Sequence, residues 1–289
     1  MAKAYVIYNL IAGHETREED IKKISVPFDE EHEFKNIKDI ENYSTFINGI
    51  NDDDIIILCG GDGTLNRFVN DTKDIDIKND ILYYPCGTGN DFAADLGHKK
   101  GDAPFNITKY LKNLPVVTVN GKKYRFINGV GYGIDGYCCE VGDRLKAESN
   151  KPVNYTSIAI KGLLFKYKPT NAKITVDGIV YYYKKVWLAP TMNGRFYGGG
   201  MIPTPNQDRC AEDKTLSTMV YYGSGKLKSL IVFPSIFKGE HVKHTEMIKV
   251  HTGKNITVEF DRPVALQIDG ETILGVTSYT AEAEAKVKA

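Results

Sequence analysis

Three short apolar runs dominate the first hundred residues, and each stops at a turn-forming residue. Tyr5–Tyr8 (YVIY) ends at Asn9, Ile55–Leu58 (IIIL) ends at a glycine-rich loop, and Ile81–Tyr84 (ILYY) ends at Pro85. Runs of this length, apolar on both alternating faces, suit strands buried on both sides of a parallel sheet. Helical patterns lie between and after them: Leu65, Phe68 and Val69 share one helix face, as do Ile107, Tyr110, Leu111 and Leu114. Residues 1–115 thus read as an α/β layer, which binds ligands at the carboxyl ends of its strands.

The pattern changes after Pro115. Val116–Val119 and Lys122–Phe126 flank Asn120-Gly121, and Lys173–Val176 and Ile179–Trp187 flank Asp177-Gly178. Both dipeptides tolerate positive φ and mark tight hairpins. Leu216–Tyr222, Asn255–Phe260 and Val264–Ile268 add strand-like runs, and one helix is expected over Tyr155–Tyr167. With 289 residues, more than one core usually sustains, the chain is expected to form two domains. Residues 1–118 are expected to form the α/β domain. Residues 119–289 form a mainly antiparallel β-sandwich, whose C-terminal tail could return to the first domain.

Composition excludes several classes. Lys plus Arg and Asp plus Glu are both 37, so the formal net charge is zero, unlike a general nucleic-acid binder. No stretch approaches the roughly 20 apolar residues of a membrane-spanning helix. The N-terminal apolar run is short and enters a strand, so a signal peptide is not expected. Five cysteines without CxxC spacing support neither a disulfide framework nor a zinc site. A cytoplasmic location is the expectation. The histidines, His241 and His244 among them, show no motif spacing and are expected at the surface.

The sharpest local feature is CGGDGTLNRF, Cys59–Phe68. A buried strand runs into Gly60-Gly61-Asp62-Gly63-Thr64 and then a helix. Glycines let backbone N–H groups approach phosphate oxygens, and a helix N-terminus adds partial positive charge. Asp62 would repel a bare phosphate, so its presence suggests a bridging Mg²⁺. The loop lacks the Gly-Lys-Ser/Thr of a Walker A motif and the spacing of a dinucleotide-binding GxGxxG. A second glycine-rich turn, PCGTGNDFA (Pro85–Ala93), follows the next buried strand. There Gly87, Thr88 and Gly89 could meet phosphate, while Asn90 and Asp91 could bind a hydroxyl or cap the following helix, capping being the stronger reading for Asp91.

GGDGTLN combined with PCGTGNDFA resembles the diacylglycerol kinase catalytic-domain family, relatives of sphingosine kinases and bacterial lipid kinases. NLIAG (Asn9–Gly13), FINGVGYGID (Phe126–Asp135), YGGGMIPTP (Tyr197–Pro205) and QIDGE (Gln267–Glu271) match further family motifs in order. The resemblance implies an NAD kinase/diacylglycerol kinase-like fold that binds ATP and Mg²⁺. ATP would be held by Asn9, Leu10, Ile11, Ala12, Gly13, Gly60, Gly61, Asp62, Gly63, Thr64, Leu65, Asn66 and Thr88. Substrate would meet Asn90 and Asp91. Glu271 matches the family's general base, with Asp269 beside it and Asp62 at the transferred phosphate. Residues two apart on a strand share a face, so Glu271 and Asp269 are expected to point the same way. A structural Mg²⁺ turn in the β domain would use the Asp213 side chain and carbonyls near Cys210 and Thr215.

The sequence departs from that family at Leu10 (usually proline), Arg67 (usually glutamate) and Lys214 (usually glycine). The implied activity is transfer of the ATP γ-phosphoryl group to diacylglycerol or a related lipid during transient contact with a membrane surface. IAIKGLLFKYK (Ile158–Lys168) is a docking candidate for that contact, though a core-facing helix with a lysine edge is the stronger reading. A kinase for a soluble hydroxyl such as NAD, and a non-catalytic nucleotide or lipid sensor, are the alternatives. A homodimer is the assembly considered.

Overall fold

The three apolar runs each become a strand with most of its side chains buried. The computed structural model describes residues 2–9, 31–148, 153 and 155–283, and the chain divides into two compact units, Met1–Asn113 and Leu114–Ala289.

The first unit is built on a five-stranded sheet of order β2-β1-β3-β4-β5, comprising β1 (Lys3–Tyr8), β2 (Glu31–Asn36), β3 (Ile55–Gly60), β4 (Asp80–Pro85) and β5 (Phe105–Asn106). All neighbours are parallel except β5, which runs antiparallel to β4. The register pairs Tyr8 with Cys59 and Gly60 with Pro85. Asn9, the Gly60-Gly61 loop and the Cys86-Gly87 loop therefore emerge side by side at the carboxyl edge of the sheet. Helix Asp62–Asp71 buries Leu65, Phe68 and Val69, the expected stripe. Ile107, Tyr110 and Leu111 fall at a much shorter helix, Thr108–Leu111.

The second unit holds a ten-stranded sheet along the order β13-β12-β11-β8-β14-β15-β6-β7, with β9 paired to β14 and β10 to β9. Its strands are β6 (Val116–Val119), β7 (Lys122–Arg125), β8 (Gly129–Tyr132), β9 (Thr170–Val176), β10 (Ile179–Val186), β11 (Thr191–Met192), β12 (Leu216–Tyr221), β13 (Ile248–Gly253), β14 (Asn255–Ile268) and β15 (Glu271–Glu282). Both hairpin dipeptides adopt positive φ at each position, 48° and 76° at Asn120-Gly121 and 46° and 87° at Asp177-Gly178. The unit begins before residue 118 because Val116–Val119 pairs with β15 and β7. The proposed C-terminal tail contact lies outside the described residues.

Two elements escape the strand-dominated expectation. Helix Ile134–Glu148 spans 15 residues and is the longest in the described chain, although Gly136 and Gly142 weaken its propensity. Gly136 is required because a Cβ there would lie 2.0 Å from the Ala265 carbonyl oxygen of β14, so helix backbone packs on strand backbone. The second is helix Lys226–Val232, which continues as a 3₁₀ segment, Phe233–Lys238. The expected helix over Tyr155–Tyr167 is split into an α segment, Tyr155–Lys161, and a π turn, Gly162–Lys166. His241 is buried rather than at the surface, its Nε2 2.9 Å from the Pro203 carbonyl oxygen. A Gly136→Ala substitution is expected to cost about 3 kcal/mol through overpacking against β14, measurable as a lowered urea midpoint at unchanged slope.

Candidate active site

In the first unit two glycine loops lie back to back. A Cβ added to Gly87 would sit 2.3 Å from Gly61 Cα, and one added to Gly61 would sit 3.0 Å from Gly87 Cα. Only glycine at both positions permits this approach. The Gly60 carbonyl accepts hydrogen bonds from the Cys86 and Gly87 amides at 3.0 and 3.2 Å and from the Tyr83 hydroxyl at 3.1 Å. Asn90, in the left-handed region at φ 51°, closes the second loop on itself. Its Oδ1 accepts from the Gly87 amide at 3.0 Å and its Nδ2 donates to the Gly87 carbonyl at 2.8 Å.

Asp62 fastens the loops from the other side. Its two carboxylate oxygens accept from the Asp91 and Phe92 amides, both at 2.9 Å. The cap of helix Asp91–Asp95 is therefore supplied by Asp62, and the expected capping role of Asp91 is corrected: Asp91 opens the helix and gives its amide to Asp62. Charge-assisted bonds to a helix N-terminus are strong ones. Helix Asp62–Asp71 itself starts at Gly61 with no side-chain cap. Thr64 folds back over Gly60, where its buried hydroxyl has no hydrogen-bond partner. An uncapped helix start, an orphaned hydroxyl and an exposed Gly63 make a cradle suited to phosphate oxygens.

The other expected nucleotide contacts divide. Asn9 and the exposed Thr88 stand at the same sheet edge. Leu65 is fully buried in the core and its amide bonds the Gly61 carbonyl at 3.2 Å, so it has nothing to offer a ligand. Asn66 is buried and takes hydrogen bonds from Asn70. Leu10, Ile11, Ala12 and Gly13 lie outside the described residues. Arg67 turns away into an exposed pair with Asp71 at 3.3 Å.

In the second unit the DGE segment differs from expectation. Asp269 and Gly270 form the two-residue turn joining β14 to β15, with Ile268 paired to Glu271 and positive φ at both turn residues, 47° and 98°. Asp269 and Glu271 are consequently not two apart on one strand. The Asp269 carboxylate instead accepts from the amides of Ile127, Asn128 and Gly129 at 2.6, 2.9 and 2.9 Å. Asp269 is a scaffold for the FINGVG segment, and Glu271 alone is left exposed at the start of β15.

A carboxylate that the sequence reading missed lies nearby. Asp135, at the start of helix Ile134–Glu148, is buried, and burial raises its pKa to about 6 against an ordinary 3.8, opposed by hydrogen bonds from backbone amides and from Gln267. A Cβ on Gly131 would fall 1.6 Å from Asp135 Oδ2, so that glycine makes room for the carboxylate. Burial, then the charges of Asp135 and Asp143 and, more weakly, Glu271, raise the Cys139 thiol to about 12. The three carboxylates thus share one neighbourhood, where Thr272 Oγ1 donates to Asp143 at 2.7 Å. The glycine at position 131, four residues before an acid on a helix start, is the signal that could have found Asp135.

The turn expected to hold structural Mg²⁺ does not fit that ion. Lys214 sits at φ 26°, the left-handed region where glycine is at ease, and its Nζ donates to the Arg209 carbonyl at 3.3 Å. The Lys214 ammonium thus takes the Arg209 carbonyl, and the Gln207 side-chain amide takes the Thr215 carbonyl at 2.8 Å. Asp213 and Cys210 are exposed, the Cys210 amide is held by Asp208 at 2.8 Å, and no group of three or more His, Cys, Asp or Glu side chains among the described residues is arranged to hold a metal.

The description "Diacylglycerol kinase catalytic domain" matches residues 3–118, and "YegS C-terminal NAD kinase beta sandwich-like domain" matches residues 128–286. The chain belongs to the diacylglycerol kinase catalytic-domain family. A diacylglycerol kinase from Mycobacterium tuberculosis (strain H37Rv) is 27% identical over 226 residues, covering 75% of this chain and 70% of the relative. A Staphylococcus aureus (strain JH9) protein described as a "putative lipid kinase" is 30% identical over 234 residues, covering 77% of this chain and 72% of its own length. A solved structure titled "a putative diacylglycerol kinase" from Bacillus anthracis superposes with a TM-score of 0.68, covering 97% of this chain and 93% of that one, at 24% identity, and so shares the fold. Among the described residues no helix is long and apolar enough to cross a membrane.

Two outcomes are expected here. Since the folded pKa of Asp135 is raised, the native state holds a proton that the unfolded chain has released between about pH 4 and 6. That contribution is complete below the unfolded pKa and is lost as pH rises through about 6, and a displacement of this size corresponds to about 3 kcal/mol. Asp135→Asn should flatten this part of the pH–stability curve, read by urea unfolding at pH 4.5 and 7.5. At the Lys214 turn, with nucleotide absent and Asp62 replaced by Asn, neither Mg²⁺ nor EDTA should move the thermal midpoint, whereas adding Lys214→Gly to that variant should make the midpoint rise with added Mg²⁺.

Proposed function

We propose that the protein is an ATP-dependent lipid kinase that transfers the γ-phosphoryl group to the hydroxyl of diacylglycerol or a related lipid. The single observation carrying this reading is the double loop: two glycine turns locked at Gly61 and Gly87, with an uncapped helix start and an orphaned Thr64 hydroxyl beside them. Family membership supports phosphoryl transfer, and the motifs after β4 and at Glu271 support a lipid acceptor.

Phosphoryl transfer needs chiefly positioning and charge neutralisation. The amides of Gly61–Gly63 and the Thr88 turn bind phosphate oxygens, and Thr64 donates its hydroxyl. Asp62, held rigid by the Asp91 and Phe92 amides, is the carboxylate that would hold Mg²⁺, an ion that would supply neutralisation of phosphate charge. Glu271 accepts the proton of the lipid hydroxyl at its carboxylate as that oxygen bonds to the γ-phosphorus and the bond to ADP breaks. Asp269 acts as a positioning residue through the Ile127–Gly129 amides. Asn90 is committed to its own loop, so its part is to shape the turn. The outward Arg67–Asp71 pair leaves the cradle intact, which favours an active enzyme over a non-catalytic sensor.

The test is transfer of labelled phosphate from ATP to lipids in mixed micelles. Glu271→Gln should keep its fold and nucleotide binding yet lose about 10²–10⁴-fold in turnover, the usual range for a general base. Asp62→Asn should weaken both nucleotide binding and turnover. Unchanged turnover in both would refute the assignment.

A further inference from the structure

The second unit contains a cleft of about 410 Å³ between residues 204–215 and the sheet edge made by β13 and its neighbour β12. That size falls within the range of about 300–1,000 Å³ that small-molecule sites occupy. Its walls are fixed by the chain around them. The Gln207 amide donates to the Thr204 carbonyl at 3.0 Å, and the Gln207 side chain donates to the Thr215 carbonyl at 2.8 Å. Burial lowers the pKa of His241, and the neutral ring holds the Pro203 carbonyl at 2.9 Å, immediately before Thr204. Pro205 closes on Gly239, where a Cβ would lie 2.9 Å from the proline ring. A wall built in this way needs little further ordering when a ligand arrives.

Among the described residues lining the cleft, Thr204 stands out. It is 1% exposed and its hydroxyl has no hydrogen-bond partner, although a buried polar group left unpaired is destabilising and rare. The other polar groups repeat its chemistry. Thr215, Ser217, Thr245 and Thr252 also line the cleft, and the hydroxyls of Ser217 and Thr252 meet at 2.8 Å across the β12–β13 pair. A hydroxyl both donates and accepts, so these groups complement a molecule whose own groups do the same. Charge gives no preference of sign, since Asp208 and Lys249 both line the cleft and both are exposed. A phosphate would meet the carboxylate, and an amine would meet the ammonium. Val242, Ile248 and Val250 supply apolar surface for the C–H faces that lie between ligand hydroxyls.

We propose that this cleft binds a neutral polyol of monosaccharide size, such as a hexose or a cyclic sugar alcohol, with one ligand hydroxyl on Thr204. The site goes beyond the kinase reading and does not depend on it. The cleft lies within the second unit, and neither Asp135 nor Glu271 lines it.

The experiment is titration of the ¹⁵N-labelled full chain with glucose, galactose, mannitol and myo-inositol in turn, and with inorganic phosphate as the anionic comparison, following amide resonances. At least one of these polyols should shift the Thr204, Gln207, Ser217 and Thr252 amides saturably, with a dissociation constant of about 1 mM or tighter. Thr204→Val keeps the shape of the side chain and removes its hydroxyl. It should bind the same polyol about ten-fold more weakly, while its thermal midpoint equals or exceeds that of wild type. Val250→Trp, which adds bulk at an exposed lining position, should abolish the shifts and leave the midpoint unchanged. Four results would each overturn the proposal: saturation by none of the polyols, full affinity in Thr204→Val, polyol shifts centred on Gly61–Gly63 or Glu271 instead, or saturation by phosphate alone.

Discussion

The contact between Gly61 and Gly87 is the constraint on which the first unit's chemistry depends. Backbone meets backbone there because neither residue has a Cβ, and the parallel register of β3 and β4 brings the two turns to the same height. Once they touch, the Gly60 carbonyl gathers three donors and Asp62 reaches the amides opening the next helix. An acid in a phosphate-binding loop looks paradoxical by charge alone. Its structural task is to join two loops by charge-assisted bonds. The loop amides then face outward already fixed, and fixed dipoles need no reorganisation when charge arrives.

The second unit uses the same device in a different setting. The Asp269 carboxylate gathers three successive amides and so pins the strand end that leads, through β8, to Asp135. Asp135 in turn depends on the missing Cβ of Gly131. Burial leaves this acid with an ordinary proton affinity no longer, while Glu271, one residue beyond the turn, stays in water's reach. Two neighbouring acids in one motif thus have unlike tasks, one holding backbone and one open to react.

The three central strands of the first unit, β1, β3 and β4, were legible because they are apolar on both faces and end at Asn, Gly or Pro, whereas the polar, half-exposed β2 was not. The two hairpins of the second unit were legible from Asn120-Gly121 and Asp177-Gly178, whose φ values need those residues. Helix Ile134–Glu148 was not, since its glycines lower helix propensity and their purposes, Gly136 against the Ala265 carbonyl and Gly142 against the Tyr155 ring, are tertiary. The position of Asp269 was misjudged for a related reason: nothing local showed that its carboxylate would fold onto residues 127–129. Lys214 stood out as a departure, and only the Arg209 carbonyl bond shows what its side chain does there. His241 carried no motif, and its burial against Pro203 is set by chain segments distant in sequence.

The central claim, that the paired glycine turns form the phosphate cradle, is tested most directly by titrating ¹⁵N-labelled protein with a non-hydrolysable ATP analogue and Mg²⁺ and following amide resonances. The expected result is that the largest shifts fall on Gly61, Asp62, Gly63, Thr88 and Gly89, with smaller ones at Asp91 and Phe92. Shifts that leave these amides unmoved while the nucleotide binds elsewhere would contradict the account.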